Sequence, residues 1–281
     1  MNTFELFKLK EAGLSNLNIN HLLAYQEREK RHLSLRDMAV VSRVKNPSLF
    51  IQSYKQLDLA ELRHRFGQFK SFSILDDCYP DALRQIYNPP VLLFYQGDLS
   101  LLEAPKLAVV GARSSSQVGT SSVKKILSEL QQKFAIVSGL ARGIDSAAHM
   151  AALQLGCRTI GVIGTGLDGH YPSENRDLQD YLAKHHLVLS EYGPGVPALK
   201  YHFPERNRII AGLSMGVLVC EAKLRSGSLI TCERAMEEGR DVFAIPGSLL
   251  DGRSDGCHHL IQEGAKLVMS GRDILDEFAL S

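Results

Sequence analysis

The sequence predicts an α/β protein: an extended Rossmann-like, doubly wound and mainly parallel sheet, preceded by a small all-helical N-terminal domain. Two observations predict the sheet. From about residue 71, short apolar or β-branched runs alternate with helical stretches, the order that builds a parallel sheet with helices on both faces. Those runs are continuously apolar rather than alternating, as strands buried on both sides must be. A third observation sets off the N-terminal domain: residues 1–70 carry helical periodicity and no convincing strand.

Within residues 1–70, Phe4 and Phe7, then Leu22 and Leu23, fit amphipathic helices interrupted over residues 13–20. Stretches 35–41 and 57–66 continue the pattern, with Pro47 as punctuation between them. Beyond that come strand-like runs at 91–95, 106–110, 134–138, 159–163, 187–190, 216–220 and 241–245. Helical stretches fall near 119–132, 145–155, 173–185 and 228–239. The expected division is therefore a helical domain over 1–70 and a Rossmann-like domain over 71–281.

The composition narrows the class. A chain of 281 residues with 44% hydrophobic and 22% charged side chains excludes disorder and collagen-like repeats. Its five cysteines are scattered, odd in number and form no CxxC pair, which reads as reduced thiols and a cytoplasmic location. Glu5 interrupts the first turn and no long apolar run follows, so neither a signal peptide nor a membrane partner is expected. The net charge of +1 hides a gradient. Residues 1–70 hold 12 basic and 7 acidic side chains, whereas residues 233–281 hold 5 and 10. A basic beginning and an acidic end point to different partners at different places, set against the plainer reading of solvated surface.

In a doubly wound sheet, ligands gather beyond the carboxyl ends of the strands, so the turns leaving them carry the chemistry. Three are unusual. The first holds Gly111, Arg113, Ser116 and Gly119; the second holds Gly139, Arg142 and Gly143, with Asp145 as the expected N-cap; the third holds Ser226, Gly227, Ser228 and Thr231. Glycines let a ligand approach the backbone, helix starts offer free N–H groups, and Arg provides a fork suited to phosphate. Between them, Lys200, Arg206 and Arg208 sit beside Tyr201, His202 and Phe203. Cations interleaved with aromatic faces are what single-stranded nucleic acid requires; the plainer reading is a helix start with Arg–carboxylate pairs.

Three strings match catalytic or cofactor motifs without their context. Gly164-Thr-Gly166-Leu-Asp-Gly169 follows a strand, but no helix opens within it and Ser173 is the expected N-cap, so it lacks the dinucleotide geometry. Gly212-Leu-Ser214-Met-Gly216 precedes a strand instead of following one. His258 and His259 are adjacent and diverge on a helix, and His149 reads as a packed residue rather than a general base. No catalytic residue, metal or cofactor is expected. A nucleotide-processing hydrolase of the phosphoribohydrolase type, with Glu221 as its acid, is the alternative.

These motifs together resemble the DNA-processing protein A (DprA/Smf) family. They are Gly111-x-Arg113-x-x-Ser116-x-x-Gly119, Ser138-Gly139-Leu-Ala-x-Gly143-Ile-Asp145, Tyr171-Pro172, Phe203-Pro-x-Arg206-Asn207-Arg208, Glu221-Ala and Ser226-Gly-Ser-Leu-Ile-Thr231. The resemblance spans about residues 75–270 and is nearest to streptococcal-type members, with a sterile-alpha-motif-like domain in front. It implies a non-enzymatic protein of natural transformation that binds incoming single-stranded DNA, forms a homodimer and loads the recombinase RecA, including onto DNA coated by single-strand-binding protein. By the same resemblance, Arg113, Lys200, Arg206 and Arg208 would hold phosphates. His258, Leu260, Ile261 and Leu267 would form the dimer interface, and Glu233, Met236, Asp241 and Glu263 would face RecA. Two positions depart from the family pattern: Val118 stands where many members have Tyr, and His258 where many have Asn.

Overall fold

The computed structural model describes residues 1–280. Five short helices come first: α1 (Thr3–Glu11), α2 (Asn16–Glu29), α3 (Leu35–Val41), α4 (Pro47–Gln56) and α5 (Leu59–Phe66). Each is started by a side chain. Asn2, Ser15 and Ser34 form reciprocal capping boxes with the residue three positions on, and Asn46 and Asp58 cap α4 and α5. Such caps satisfy amide groups that short helices would otherwise leave bare. The interruption expected over 13–20 is shorter than that, because the Ser15 capping box starts α2 at Asn16.

The remainder is a nine-stranded sheet with helices on both faces. Its strands are β1 (Lys70–Ser73), β2 (Leu92–Gly97), β3 (Lys106–Gly111), β4 (Ala135–Ser138), β5 (Thr159–Ile163), β6 (Leu187–Ser190), β7 (Gly216–Cys220), β8 (Asp241–Ala244) and β9 (Lys266–Leu267). The helices are α6 (Asp81–Arg84), α7 (Gln117–Glu129), α8 (Ile144–Gln154), α9 (Arg176–His185), α10 (His202–Leu213), α11 (Gly227–Glu237), α12 (Asp255–Gln262) and α13 (Arg272–Glu277). The order is β1-β2-β6-β5-β4-β3-β7-β8-β9. Every pair from β6 to β9 is parallel, while β1–β2 and β2–β6 are antiparallel. The chain winds outward from β3 toward β6, then returns to place β7 on the other side of β3. That reversal is the switch point at which doubly wound folds open a ligand crevice.

Each central strand divides its side chains between two apolar layers. Leu107 and Val109 pack with Val123 and Ile126 of α7 and Ala148 of α8. Ala108 and Val110 face the opposite layer, with Ile209 and Ile210 of α10. Burial on both sides explains the unbroken apolar runs. The helical domain joins this second layer through Leu6 and Phe7, and Phe7 meets Phe94 of β2 edge to face at 5.6 Å.

Several local expectations change. β1 begins at Lys70, one residue ahead of the expected boundary. Asp145 is not the N-cap of α8. Gly143, at φ 74°, occupies that position, and Asp145 lies buried in the first turn. Ser173 opens a single 3₁₀ turn before α9 instead of capping a continuous helix.

Candidate nucleic-acid interface

The first turn is organised around an internal carboxylate. Ser116 caps α7 by accepting from the Gly119 N–H at 3.0 Å. Its own N–H donates to Glu221 Oε2 at 2.7 Å, and its hydroxyl donates to the other Glu221 oxygen. A Cβ at Gly119 would lie 2.4 Å from the Glu221 carboxyl carbon, so glycine there makes room for that group. The start of α7 thus already holds an anion, as the helix dipole favours. Ser116, expected to contact DNA, is occupied in holding this turn.

The second turn is built around a buried Asp and a buried Arg that each bond the backbone. Asp145 accepts from the Gly139 N–H at 3.1 Å, and Arg206 donates to the carbonyls of Gly139 and Val162. Both side chains are buried. Burial pushes the Asp145 carboxyl up and the Arg206 guanidinium down, and each charge opposes the other's shift. A Cβ at Gly139 would strike the Arg206 guanidinium at 2.3 Å. Arg206 therefore ties α10 to β4 and β5, and although it contributes to the cavity wall it is buried and already engaged with these carbonyls.

Between these turns and the start of α11 lies a cavity of about 860 Å³, at the carboxyl ends of β3 and β7. Four exposed cations line it: Arg113, Lys200, Lys223 and Arg253. Asp251 is the exposed carboxylate that answers them. The Arg113 guanidinium lies 5.6 Å from the Phe203 ring centroid, and Phe203 lies 5.1 Å from Tyr171, which is half exposed. Ser226 and Thr231 line the same cavity. The Ser226 hydroxyl meets that of Ser228 at 2.9 Å, and no side chain caps α11. Gly111 forms part of the wall, and a Cβ there would sit 2.0 Å from the Cys220 carbonyl oxygen. Gly139 and Arg142 border a smaller recess of about 60 Å³ beyond the Arg113–Phe203 pair, and Arg142 is paired with Glu174.

Arg208 lies apart from this cavity. It bonds Glu191 at 2.6 Å, in a buried cluster that also takes Lys10 and Asn16 of the helical domain. Lys223, Arg253, Tyr171 and Asn207 also line the cavity, although sequence reading assigned them no role. Lys223 and Arg253 follow β7 and β8 on the same rim, so the rule that singled out the other turns also reaches them.

The residues expected to serve self-association are divided. Leu260 is 3% exposed and belongs to the core, whereas Leu267 is exposed on the edge strand β9. Ile261 and His258 are half-buried, and His258 Nε2 approaches the Gly247 carbonyl at 3.2 Å. Glu233, Met236, Asp241 and Glu263 are exposed. Asp241 begins β8, and Glu263 lies between α12 and β9. Glu233 and Met236 lie on α11, whose Ile230 and Thr231 line the cavity, while Asp241 and Glu263 stand at or just before the amino ends of β8 and β9. His149 is buried against the Thr159 hydroxyl at 2.7 Å, and burial lowers it to about 3, which keeps the ring neutral. Among the described residues no His, Cys, Asp or Glu cluster could hold a metal, and no helix is long and apolar enough to cross a membrane.

Residues 70–279 match the family model for DNA recombination-mediator protein A, and residues 1–62 match that for the DNA processing protein A sterile alpha motif domain. DNA processing protein DprA of Streptococcus pneumoniae is 63% identical over 275 residues, 98% of each chain. The Bacillus subtilis protein is 45% identical, over 80% of this chain and 77% of its own. The X-ray structure of the S. pneumoniae protein superposes with a TM-score of 0.97 over 99% of this chain and 98% of that one. A Helicobacter pylori structure, described for the single-stranded DNA binding mode of DNA processing protein A, is 29% identical with a TM-score of 0.68. It covers 75% of this chain and 97% of its own. With its sheet, its glycine turns and both of its family models in agreement, the chain belongs to the DNA processing protein A family.

Proposed function

We propose that this protein is a recombination mediator that binds single-stranded DNA in the cavity at the β3–β7 switch point. The observation that carries the reading is the lining itself: four exposed cations, one of which, Arg113, lies over the Phe203 ring that in turn meets Tyr171. Cations attract the phosphates, and aromatic faces accept unpaired bases irrespective of sequence. Arg113, Lys200, Lys223 and Arg253 are the phosphate partners in this reading. Arg206, Ser116 and Gly139 shape the turns, and Gly111, Ser226 and Thr231 form the walls. The described binding mode of the H. pylori relative supports the choice of ligand.

Loading of RecA, delivery from DNA coated by single-strand-binding protein, homodimer formation and a cytoplasmic role in natural transformation extend the same proposal. The exposed acidic residues Glu233, Asp241 and Glu263, with Met236, support a protein partner at a surface distinct from the cationic cavity lining. Leu267, with Ile261 and His258, supports self-association along the β9 edge. The hydrolase alternative has no observation in its favour. Its acid, Glu221, is buried and held by Ser116.

The test is fluorescence anisotropy with an oligonucleotide of thymidines and with a duplex of equal length, across a salt titration, with and without RecA. Preference for the single strand with a steep loss of affinity in salt is expected. Equal affinity for the duplex would overturn the proposal.

A further inference from the structure

The loop leaving β8 carries two side chains that the folded chain does not use. Leu250 is 97% exposed and Leu249 80%, the most exposed large apolar residues among those described. Adjacent bare leucines are uncommon on a soluble surface unless something covers them. This segment is also held in place. The Gly247 N–H donates to His258 Nε2 at 3.3 Å, and the Leu250 N–H to the Ser248 hydroxyl at 3.1 Å. On the other side, Asp251 Oδ1 accepts from the Arg253 N–H at 3.0 Å. Arg253 Nη1 then donates to the Ser114 carbonyl at 3.1 Å, in the turn that carries Arg113.

The position of the tip follows from its neighbours. Asp251 and Arg253, one and three residues beyond Leu250, both line the large cavity. The leucines therefore stand beside a cationic rim while contacting little of their own protein. We infer that Leu249 and Leu250 form an apolar wedge that packs against unpaired bases of the strand whose phosphates occupy the cavity. An unpaired base offers an open, largely apolar face that leucine can cover, whereas inserting leucine into a duplex first costs a few kcal/mol of unstacking. Bases in a duplex are stacked and closed to such a wedge, so the contact would favour single strands. The inference rests on the proposed DNA-binding role of the cavity and adds a separate, uncharged determinant to it.

Four anisotropy titrations at one salt concentration test it, using the full chain and its Leu249→Ser/Leu250→Ser variant. Each binds a thymidine oligonucleotide and the same backbone with abasic positions at its centre. Both side chains are exposed, so the variant is expected to melt with the parent. Removing two apolar contacts is expected to weaken binding to the thymidine strand by about tenfold or more. Binding to the abasic strand and the salt slope should stay unchanged, because no phosphate partner is lost. Unchanged affinity for thymidines, or equal loss on both strands, overturns the wedge. Loss of dimer mass in sedimentation velocity would overturn it in favour of a second copy as the cover. Arg113→Ala separates the two levels of the argument. If it weakens binding while the leucine variant does not, the wedge alone falls; if the parent binds neither strand, the cavity reading falls with it.

Discussion

Substituting Glu191 by Gln perturbs the junction between the helical domain and the helix that supplies Phe203. The Glu191 side chain is 3% exposed. It accepts from Lys10 Nζ at 3.3 Å and Arg208 Nη2 at 2.6 Å, with the Asn16 amide as a third donor. Burial pushes this carboxyl up, but the Lys10 and Arg208 charges and the Asn16 amide outweigh it and hold it at about 2, against an ordinary 4.5. A depression of that size corresponds to about 3 kcal/mol of stability at neutral pH. Because the folded-state value is depressed, this contribution is complete above about pH 4.5 and disappears as the pH falls toward 2. Removing the charge strands two cations in a nearly closed site, for which losses of about 3–5 kcal/mol are typical. Urea unfolding at pH 7 should therefore show Glu191→Gln weaker by that amount. The melting temperature should be lower by roughly 5–9 °C. The difference should shrink as both proteins are taken toward pH 2. A variant within 1 kcal/mol of the parent at pH 7, or a gap indifferent to pH, would refute the account.

Arg113→Ala and Lys200→Ala should each weaken single-strand binding whatever its sequence, and each should reduce the slope of log affinity against log salt by about 0.7; salt-titrated anisotropy measures both. Arg206→Ala should act differently, losing several kcal/mol in urea unfolding because two buried carbonyls lose their donor and the buried Asp145 loses the nearby positive charge that favours its ionised form. Gly111→Ala should destabilise by about 3 kcal/mol or more, measurable by thermal melting, because its methyl group would meet the Cys220 carbonyl oxygen at 2.0 Å. Iodoacetamide on the native protein, followed by intact mass, should modify Cys78 alone. The other four cysteines are buried, and burial pushes the thiols of Cys220, Cys232 and Cys257 up, which leaves little reactive thiolate.

Much of the fold could be read directly from the residues. Strands such as Thr159–Ile163 and Gly216–Cys220 are buried along their whole length, and that burial is written locally as an unbroken apolar run. The antiparallel pairing of β2 with both β1 and β6 was not legible, since a short apolar run does not state its partner or direction. The site divided in a similar way. Arg113 and Arg206 both occur in motifs that suit phosphate, yet one lies over Phe203 at the cavity and the other is buried against the carbonyls of Gly139 and Val162. Ser116 and Arg208 likewise looked available and are bound to Glu221 and Glu191. The carboxylates that engage them lie 105 and 17 residues away along the chain.

By itself, then, the sequence determined the class of fold, the turns that line the cavity and the family. Each depends on periodicity, turn chemistry or ordered motifs, which are properties of neighbouring residues. Only the tertiary structure decided which cations remain free. A guanidinium is available to a phosphate when it stays at the surface, as Arg113 does and as Arg253 does while giving one nitrogen to the Ser114 carbonyl, and not when burial closes it in with its own protein's carboxylates or carbonyls. That competition is settled by the approach of segments far apart in the chain: α10 against the ends of β4 and β5, the Glu221 carboxylate against the start of α7, and the helical domain against Glu191.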